Sequence, residues 1–131
     1  MKTNLDKFFK TNDELEANGV WFEISSDTAF LLRPFKASNP SVKAAMAQLY
    51  KPYSRQIEMG TLDDAKALEI NVKIFVRACL VTWRGVEIDG VEAECTPETA
   101  IKFFKALPDL FITLWNHTQD FKNYREEVGN S

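Results

Sequence analysis

Hydrophobic and polar positions alternate with a period of two from Val20 to Ile24, where Val20, Phe22 and Ile24 interleave with Trp21, Glu23 and Ser25. A polar stretch, Ser25-Ser26-Asp27-Thr28, follows, and Phe30 and Leu32 resume the alternation. This pattern predicts a small antiparallel hairpin that ends at Pro34. A lone hairpin is barely stable in water, so its apolar face must rest on another element. Upstream, Asn12-Asp13-Glu14 starts a short helical turn that Asn18-Gly19 stops.

The rest of the pattern is helical. Asn39 before Pro40 is an N-cap with proline at the first helical position, and Val42, Met46 and Leu49 follow at helical spacing. Pro52 interrupts this run, and Tyr53, Gln56, Ile57 and Gly60 form a further turn with its C-cap. A kinked helix and two short helices both fit. Thr61 and Asp64 form a capping-box variant, and nothing breaks the helix from there to Trp83, before Gly85. Leu68, Val72, Phe75, Cys79 and Trp83 make one stripe, while Ile70, Ile74 and Val81 lie on a different side. Such a helix needs cover on more than one face.

Residues 86–98 carry Glu87, Asp89, Glu92, Glu94 and Glu98, with a turn at Asp89-Gly90. Thr96-Pro97-Glu98 caps a helix bearing Ile101, Phe103, Phe104 and Leu107. Pro108-Asp109 breaks it and starts a last helix with Leu110, Phe111, Leu114, Trp115, Phe121 and Tyr124. The expected fold is mainly α (α+β): a compact bundle of about four to five helices with a small N-terminal antiparallel β-hairpin. One domain spans residues 1–131, with flexible ends at about 1–12 and 126–131.

The chain's 131 residues, 45% hydrophobic and 27% charged, suit an ordinary globular domain. Against 16 Lys and Arg stand 19 Asp and Glu, which disfavours wrapping of a long polyanion. The start, Met1 to Lys7, has no apolar core of a secretory signal. The longest stretch without a charged residue, Leu110 to Gln119, is far short of the roughly twenty residues of a bilayer span. A soluble, cytoplasmic protein with no membrane partner is therefore expected. Cys79 reads as a core residue and Cys95 as partly exposed, with neither a disulfide framework nor a zinc site expected.

A search for chemistry yields no enzyme. There is no glycine-rich phosphate loop and no Gly-x-Ser-x-Gly elbow. His117, the sole histidine, has no evident acid–base companion beyond Asp120. Asp63 and Asp64 are adjacent on a helix and diverge by about 100°, which suits helix N-terminal charge rather than a metal. Catalytic residues, metals and cofactors are therefore not expected. The acidic 86–98 stretch is a solvated loop or a docking surface for a basic partner. Arg33, Lys36, Lys43, Lys51 and Arg55, interleaved with Tyr50 and Tyr53, form a basic region. It suits complementarity within or between subunits better than nucleic acid.

Apolar surplus is the informative feature. Ten Phe, three Trp and three Tyr exceed what one modest core holds. Leftover apolar surface marks association. The candidate partner or oligomer interface is Ile70, Ile74 and Val81, or the side bearing Phe111, Trp115 and Phe121.

Several phrases, in order, resemble the tail assembly chaperones of long-tailed bacteriophages. They are Val20-Trp21-Phe22-Glu23-Ile24, Leu49-Tyr50-Lys51-Pro52-Tyr53-Ser54-Arg55-Gln56-Ile57 and Gly60-Thr61-Leu62-Asp63-Asp64. Trp83-Arg84-Gly85-Val86, Thr96-Pro97-Glu98 and Leu107-Pro108-Asp109-Leu110-Phe111 complete the likeness, which spans about residues 18–125. The resemblance implies a small, mainly helical, non-enzymatic homo-oligomer that coats the tape measure protein for tail tube polymerisation. It further implies action in the host cytoplasm, absence from the mature virion, and contact with the major tail protein through a longer frameshifted form. It transfers no catalytic or contact residues. A structural tail component and a small nucleic-acid-binding module are the alternatives.

Overall fold

The computed structural model describes residues 4–125. The chain is mainly helical, with two small antiparallel sheets. Two short helices, α1 (Leu5–Phe9) and α2 (Asp13–Asn18), lead into strands β1 (Val20–Glu23) and β2 (Ala29–Leu32). Asn12 caps α2 by accepting from the Glu14 and Leu15 amides. Gly19 ends that helix as the sequence predicts, its φ of 85° being one that residues with a Cβ rarely adopt.

Helix α3 (Pro40–Tyr50) starts at the predicted cap, with the Asn39 side chain accepting from the Ser41 amide. At Pro52 the chain makes a 3₁₀ turn, Lys51–Tyr53, and continues as α4 (Ser54–Met59). Of the two open alternatives, two short helices are therefore formed. Gly60 closes α4 in the left-handed conformation, φ 68°.

The long helix differs from expectation at both ends. Helix α5 runs only from Asp64 to Ala78, and its N-cap is Asp63, whose side chain makes no capping bond. Thr61 instead directs its hydroxyl back to the Gln56 carbonyl, 3.5 Å away, so the capping box does not form. Beyond Cys79 the chain enters strand β3 (Leu80–Arg84), which pairs antiparallel with β2. The hairpin is thus two strands of a three-stranded sheet ordered β1-β2-β3. A register shift pairs Leu32 with Leu80 and Leu31 with Thr82, leaving Val81 as an extra, bulged residue. The bulge places buried Leu80 and Trp83 three positions apart, a spacing that imitates a helical turn.

Gly85 follows β3 at φ 68°, and a Cβ built there would sit 1.9 Å from the Asp27 carbonyl oxygen. Only a glycine lets the end of β3 approach the β1–β2 turn this closely. Strands β4 (Glu87–Ile88) and β5 (Val91–Glu92) flank the predicted Asp89-Gly90 turn, where both residues have positive φ. Thr96 then caps α6 (Pro97–Ala106) by accepting from the Thr99 amide.

Helix α7 spans Pro108–Gln119, shorter than the expected last helix. Asp120 ends it and caps a 3₁₀ turn, Phe121–Tyr124, that buries Tyr124. The Tyr124 carbonyl accepts from the Asn12 amide at 2.8 Å, so the two ends of the described chain meet. Thr11, buried beside them, accepts from Lys36, which also pairs with Glu16. Thr11 and Asn12 are thus tied down; residues 1–3 and 126–131, in the terminal stretches expected to be flexible, lie outside the described residues.

The core lies between α5, α6, α7 and the sheet. Phe75 packs edge-on to Phe104 and Phe111, each with ring centroids 5.4 Å away. Helix α5 meets α3 on one flank, where Tyr50 donates to Asn71 at 2.6 Å and Arg77 to Gln48 at 2.7 Å. On its other flank it meets α6. There Glu69 gathers Lys66, Lys105 and Lys73 at 2.8, 3.4 and 3.6 Å. Hydrogen bonds from Lys66 and Lys105 hold the Glu69 carboxyl down at about 2. This partly exposed network orients the helices more than it stabilises them.

Candidate functional site

No group of three or more His, Cys, Asp and Glu is placed to hold a metal ion among the described residues. Asp63 and Asp64 are exposed at the start of α5, where they meet its positive end. His117 is half-buried on α7, with its Nδ1 3.2 Å from the Asn123 amide nitrogen and its ring 4.1 Å from Phe22. Desolvation lowers its pKa, opposed in part by Asp120. Its ring is packed between those of Phe22 and Tyr124, at centroid distances of 4.1 and 6.3 Å.

The cysteines are free thiols of different accessibility. Burial pushes the Cys79 thiol up to about 12, and burial also raises that of Cys95, which is half-exposed. Thiolate is the reactive form, so Cys79 is kept inert while the fold is intact. Under limiting iodoacetamide near neutral pH, peptide mass spectrometry should find Cys95 alkylated first. Cys79 should react only after denaturant is added, and equal labelling of both in the native protein would contradict this packing.

Neither of the two candidate interface sets forms one exposed surface, because each contains buried members. Ile70 and Ile74 are buried with Ala45, covered by Phe35, Met46, Leu49, Tyr50 and Trp115. Phe111 is buried against Phe75 and Phe104. These three are core residues, because α3 and α7 supply the second cover that α5 requires, and they offer nothing to a partner while the protomer is folded. Trp115 is half-buried between Phe35 and Phe111, at centroid distances of 4.7 and 5.4 Å. Phe121 is half-buried under the Lys36 ammonium, 5.6 Å from its ring centre. Val81, the bulged residue, is 36% exposed.

The apolar surface that remains lies elsewhere. A groove of about 370 Å³ opens between the β4–β5 hairpin and α6, floored by Ile88, Phe103, Ala106 and Leu107. Glu87, Thr99 and Lys102 rim it. Ile88 and Val91 are directly paired across the hairpin, so Val91, 69% exposed, extends the apolar wall beside the groove. A second hollow of about 460 Å³ lies where α4 meets α5, among Tyr50, Ile57, Leu62, Ala67 and Asn71. Met59, 65% exposed, stands at the end of α4. Periodicity alone did not expose these residues. The signal for Val91 was the two-residue Asp89-Gly90 turn, which sets its flanking residues side by side on one face.

Charge is segregated around these surfaces. Glu87, Asp89, Glu92, Glu94 and Glu98 are all exposed, and none forms an ion pair among the described residues. Lys43, Lys51 and Arg55 are likewise exposed and make no ion pair among the described residues. Arg33 and Lys36, by contrast, are engaged within the protomer, Arg33 donating to the Ala17 carbonyl.

The sequence matches the family described as YdaY prophage protein over residues 37–130, well over half of the chain. The chain belongs to that family. YdaY prophage proteins are phage-derived, and the matched region runs from just before α3 through α7. It therefore contains the groove, the acidic hairpin and the basic α3–α4 segment, and leaves out the β1–β2 hairpin. Neither a curated protein nor a solved structure matches the chain. No helix among the described residues is long and apolar enough to cross a membrane.

Proposed function

We propose that this phage protein is a non-enzymatic tail assembly chaperone, which self-associates and binds the tape measure protein to keep it soluble for tail tube polymerisation. The observation that carries the reading is large apolar side chains left uncovered around a complete core. Leu5, Phe9, Met59 and Val91 are each about two-thirds exposed, and Leu107 and Ile112 are roughly half exposed. A groove bounded by a helix and a hairpin accepts the apolar stripe of an amphipathic helix, with anchors at i, i+3, i+4 and i+7. Exposed acids on the neighbouring hairpin, Glu87, Asp89 and Glu92, keep a complex with so apolar a rod hydrated. In this reading the protein works in the host cytoplasm and leaves before the virion is complete. A longer form would reach the major tail protein.

Co-expression with a fragment of the tape measure protein from the same phage tests the reading. The soluble yield of the fragment should rise several-fold and the two should co-purify. No gain in solubility overturns the chaperone role. Finding the protein as a stoichiometric part of purified virions would assign it to the tail structure instead.

A further inference from the structure

We propose that His117 is an acid-sensitive latch: taking up a proton releases the Phe121–Tyr124 turn and, with it, the segment before α2 that is bonded to that turn. The device stands apart from the apolar surfaces of the functional reading above and does not depend on it. The Asn123 side-chain nitrogen lies 3.0 Å from the His117 carbonyl oxygen and 3.2 Å from Nδ1 of the ring. A carbonyl oxygen only accepts, so the NH2 group of Asn123, and not its oxygen, must occupy that position. Turning the amide over would set two acceptor oxygens 3.0 Å apart. Nδ1 therefore faces a donor and accepts from it, which leaves the proton of the neutral ring on Nε2. Nε2 is buried and has no partner among the described residues.

The next proton has only Nδ1 to go to. It turns the acceptor of the Asn123 bond into a donor aimed at another donor. The resulting cation has two N–H groups and an acceptor for neither, which is costly wherever water is excluded.

The groups around the ring give that charge no relief in place. On β1 the ring meets Phe22, while Glu23 beside it faces the other side of the sheet and pairs with Arg84 at 3.2 Å. From the chain after β2, Lys36 is held by Glu16 and Thr11. On the turn, Tyr124 is buried with its hydroxyl held well above the usual phenol range by desolvation, so it carries no charge. Lys122 is exposed, and the Arg125 guanidinium lies over Phe9, 5.3 Å from its ring centre. Asp120, at the end of α7, is the acid that acts on the ring, and its Oδ1 accepts from the Lys122 amide at 3.3 Å to cap the turn. An imidazolium that draws this carboxylate to itself uncaps the same turn.

Desolvation outweighs Asp120 and holds His117 below its ordinary value of 6.5. The closed turn thus binds the proton less well than the open one. Closure is fully favoured above about pH 6.5 and weakens as the pH falls from there toward the lowered value of the closed state. On opening, Tyr124 leaves the core, and its carbonyl lets go of the Asn12 amide, now 2.8 Å away.

Nuclear magnetic resonance on the full chain labelled with nitrogen-15 tests the latch, because His117 is the only histidine. Above about pH 7 the ring nitrogen shifts should be those of the Nε2–H tautomer. Between about pH 7.5 and about pH 5, protection of the Asn12 amide from hydrogen exchange, corrected for its intrinsic rate, should fall about fivefold or more. The fall should follow the titration of His117. The Ala100 amide, bonded to the Thr96 carbonyl at 2.8 Å within α6, should keep its protection. His117→Asn retains an acceptor near the place of Nδ1 and never charges, so its Asn12 protection should not vary with pH. Asn123→Asp sets a carboxylate against Nδ1 and should raise the pKa of His117 above that of the wild type. An Nδ1–H tautomer overturns the latch, as does constant Asn12 protection through the wild-type titration. Equal losses at Asn12 and Ala100 mean acid unfolding of the whole domain and overturn it too. A pH dependence that survives in His117→Asn has the same force. If that variant does not fold, the wild-type tautomer and the Asn123→Asp titration decide, and an unraised pKa there overturns the proposal.

Discussion

Replacing Phe75 with alanine should lower the unfolding free energy by about 3–5 kcal/mol, the range for truncating a fully enclosed aromatic side chain. Phe75 has no exposed surface and stands where α5, α6 and α7 converge, with Phe104, Phe111 and Trp115 around it at 5.4, 5.4 and 6.3 Å. Rings held on two different helices cannot all collapse into the vacated space, so the cavity term adds to the lost burial. Against a typical total of about 5–15 kcal/mol, the loss is a large fraction of the stability of the domain. Urea unfolding followed by tryptophan fluorescence should show the midpoint falling sharply, with a Tm lower by about 10–20 °C. Ile112→Ala is the control. Ile112 is half exposed on the outer face of α7, and its removal should change stability by less than about 0.5 kcal/mol. Comparable losses at the two sites would refute the packing described.

Gly85→Ala should be nearly as damaging, for a reason unrelated to burial. The added methyl would lie 1.9 Å from the Asp27 carbonyl oxygen and 2.8 Å from the Asp27 carbonyl carbon. Both are backbone atoms, so no side chain can rotate away to make room. The residue also has φ 68°, a conformation that costs alanine about 1 kcal/mol even in open space. Separating the β1–β2 turn from the end of β3 would break the bond from the Thr28 hydroxyl to the Gly85 carbonyl, now 2.8 Å long. A total loss of about 2–4 kcal/mol follows. Gly90→Ala isolates the conformational part. Gly90 has φ 78° with nothing within 4 Å of the would-be Cβ, so its variant should lose about 1 kcal/mol only. Matched chemical denaturation curves decide it, and equal losses would mean that the close approach at Gly85 is absent.

What could be read from the sequence was local. The Asn39–Pro40 cap, the Gly60 C-cap, the Asp89-Gly90 turn and the Thr96 cap each depend on a few adjacent residues, and each forms as expected. β3 could not be read in this way. The bulge at Val81 separates its two buried residues by three positions, and that spacing continues the stripe of α5 without a break. Ile70 and Ile74 illustrate the other difficulty. Their periodicity correctly marks a second apolar flank of α5, but the residues that cover it come from α3 and α7, distant in the chain. An apolar side chain does not announce whether its cover is another part of the same chain or a different molecule. The candidate surface is partly legible in hindsight: the acidic run and the basic run were plain, and the groove beside α6 required the fold. The family match adds phage origin, which no single residue carries.

The bond between the Asn12 amide and the Tyr124 carbonyl makes the stability of the two ends a shared quantity. Local opening ordinarily begins where a chain ends, independently on each side. Here a fluctuation that lifts α2 away also strips the closing turn of a partner, and unravelling of the last turn leaves the segment before α2 without its anchor. Opening of the segment before α2 and opening of the Phe121–Tyr124 turn are therefore coupled through this bond.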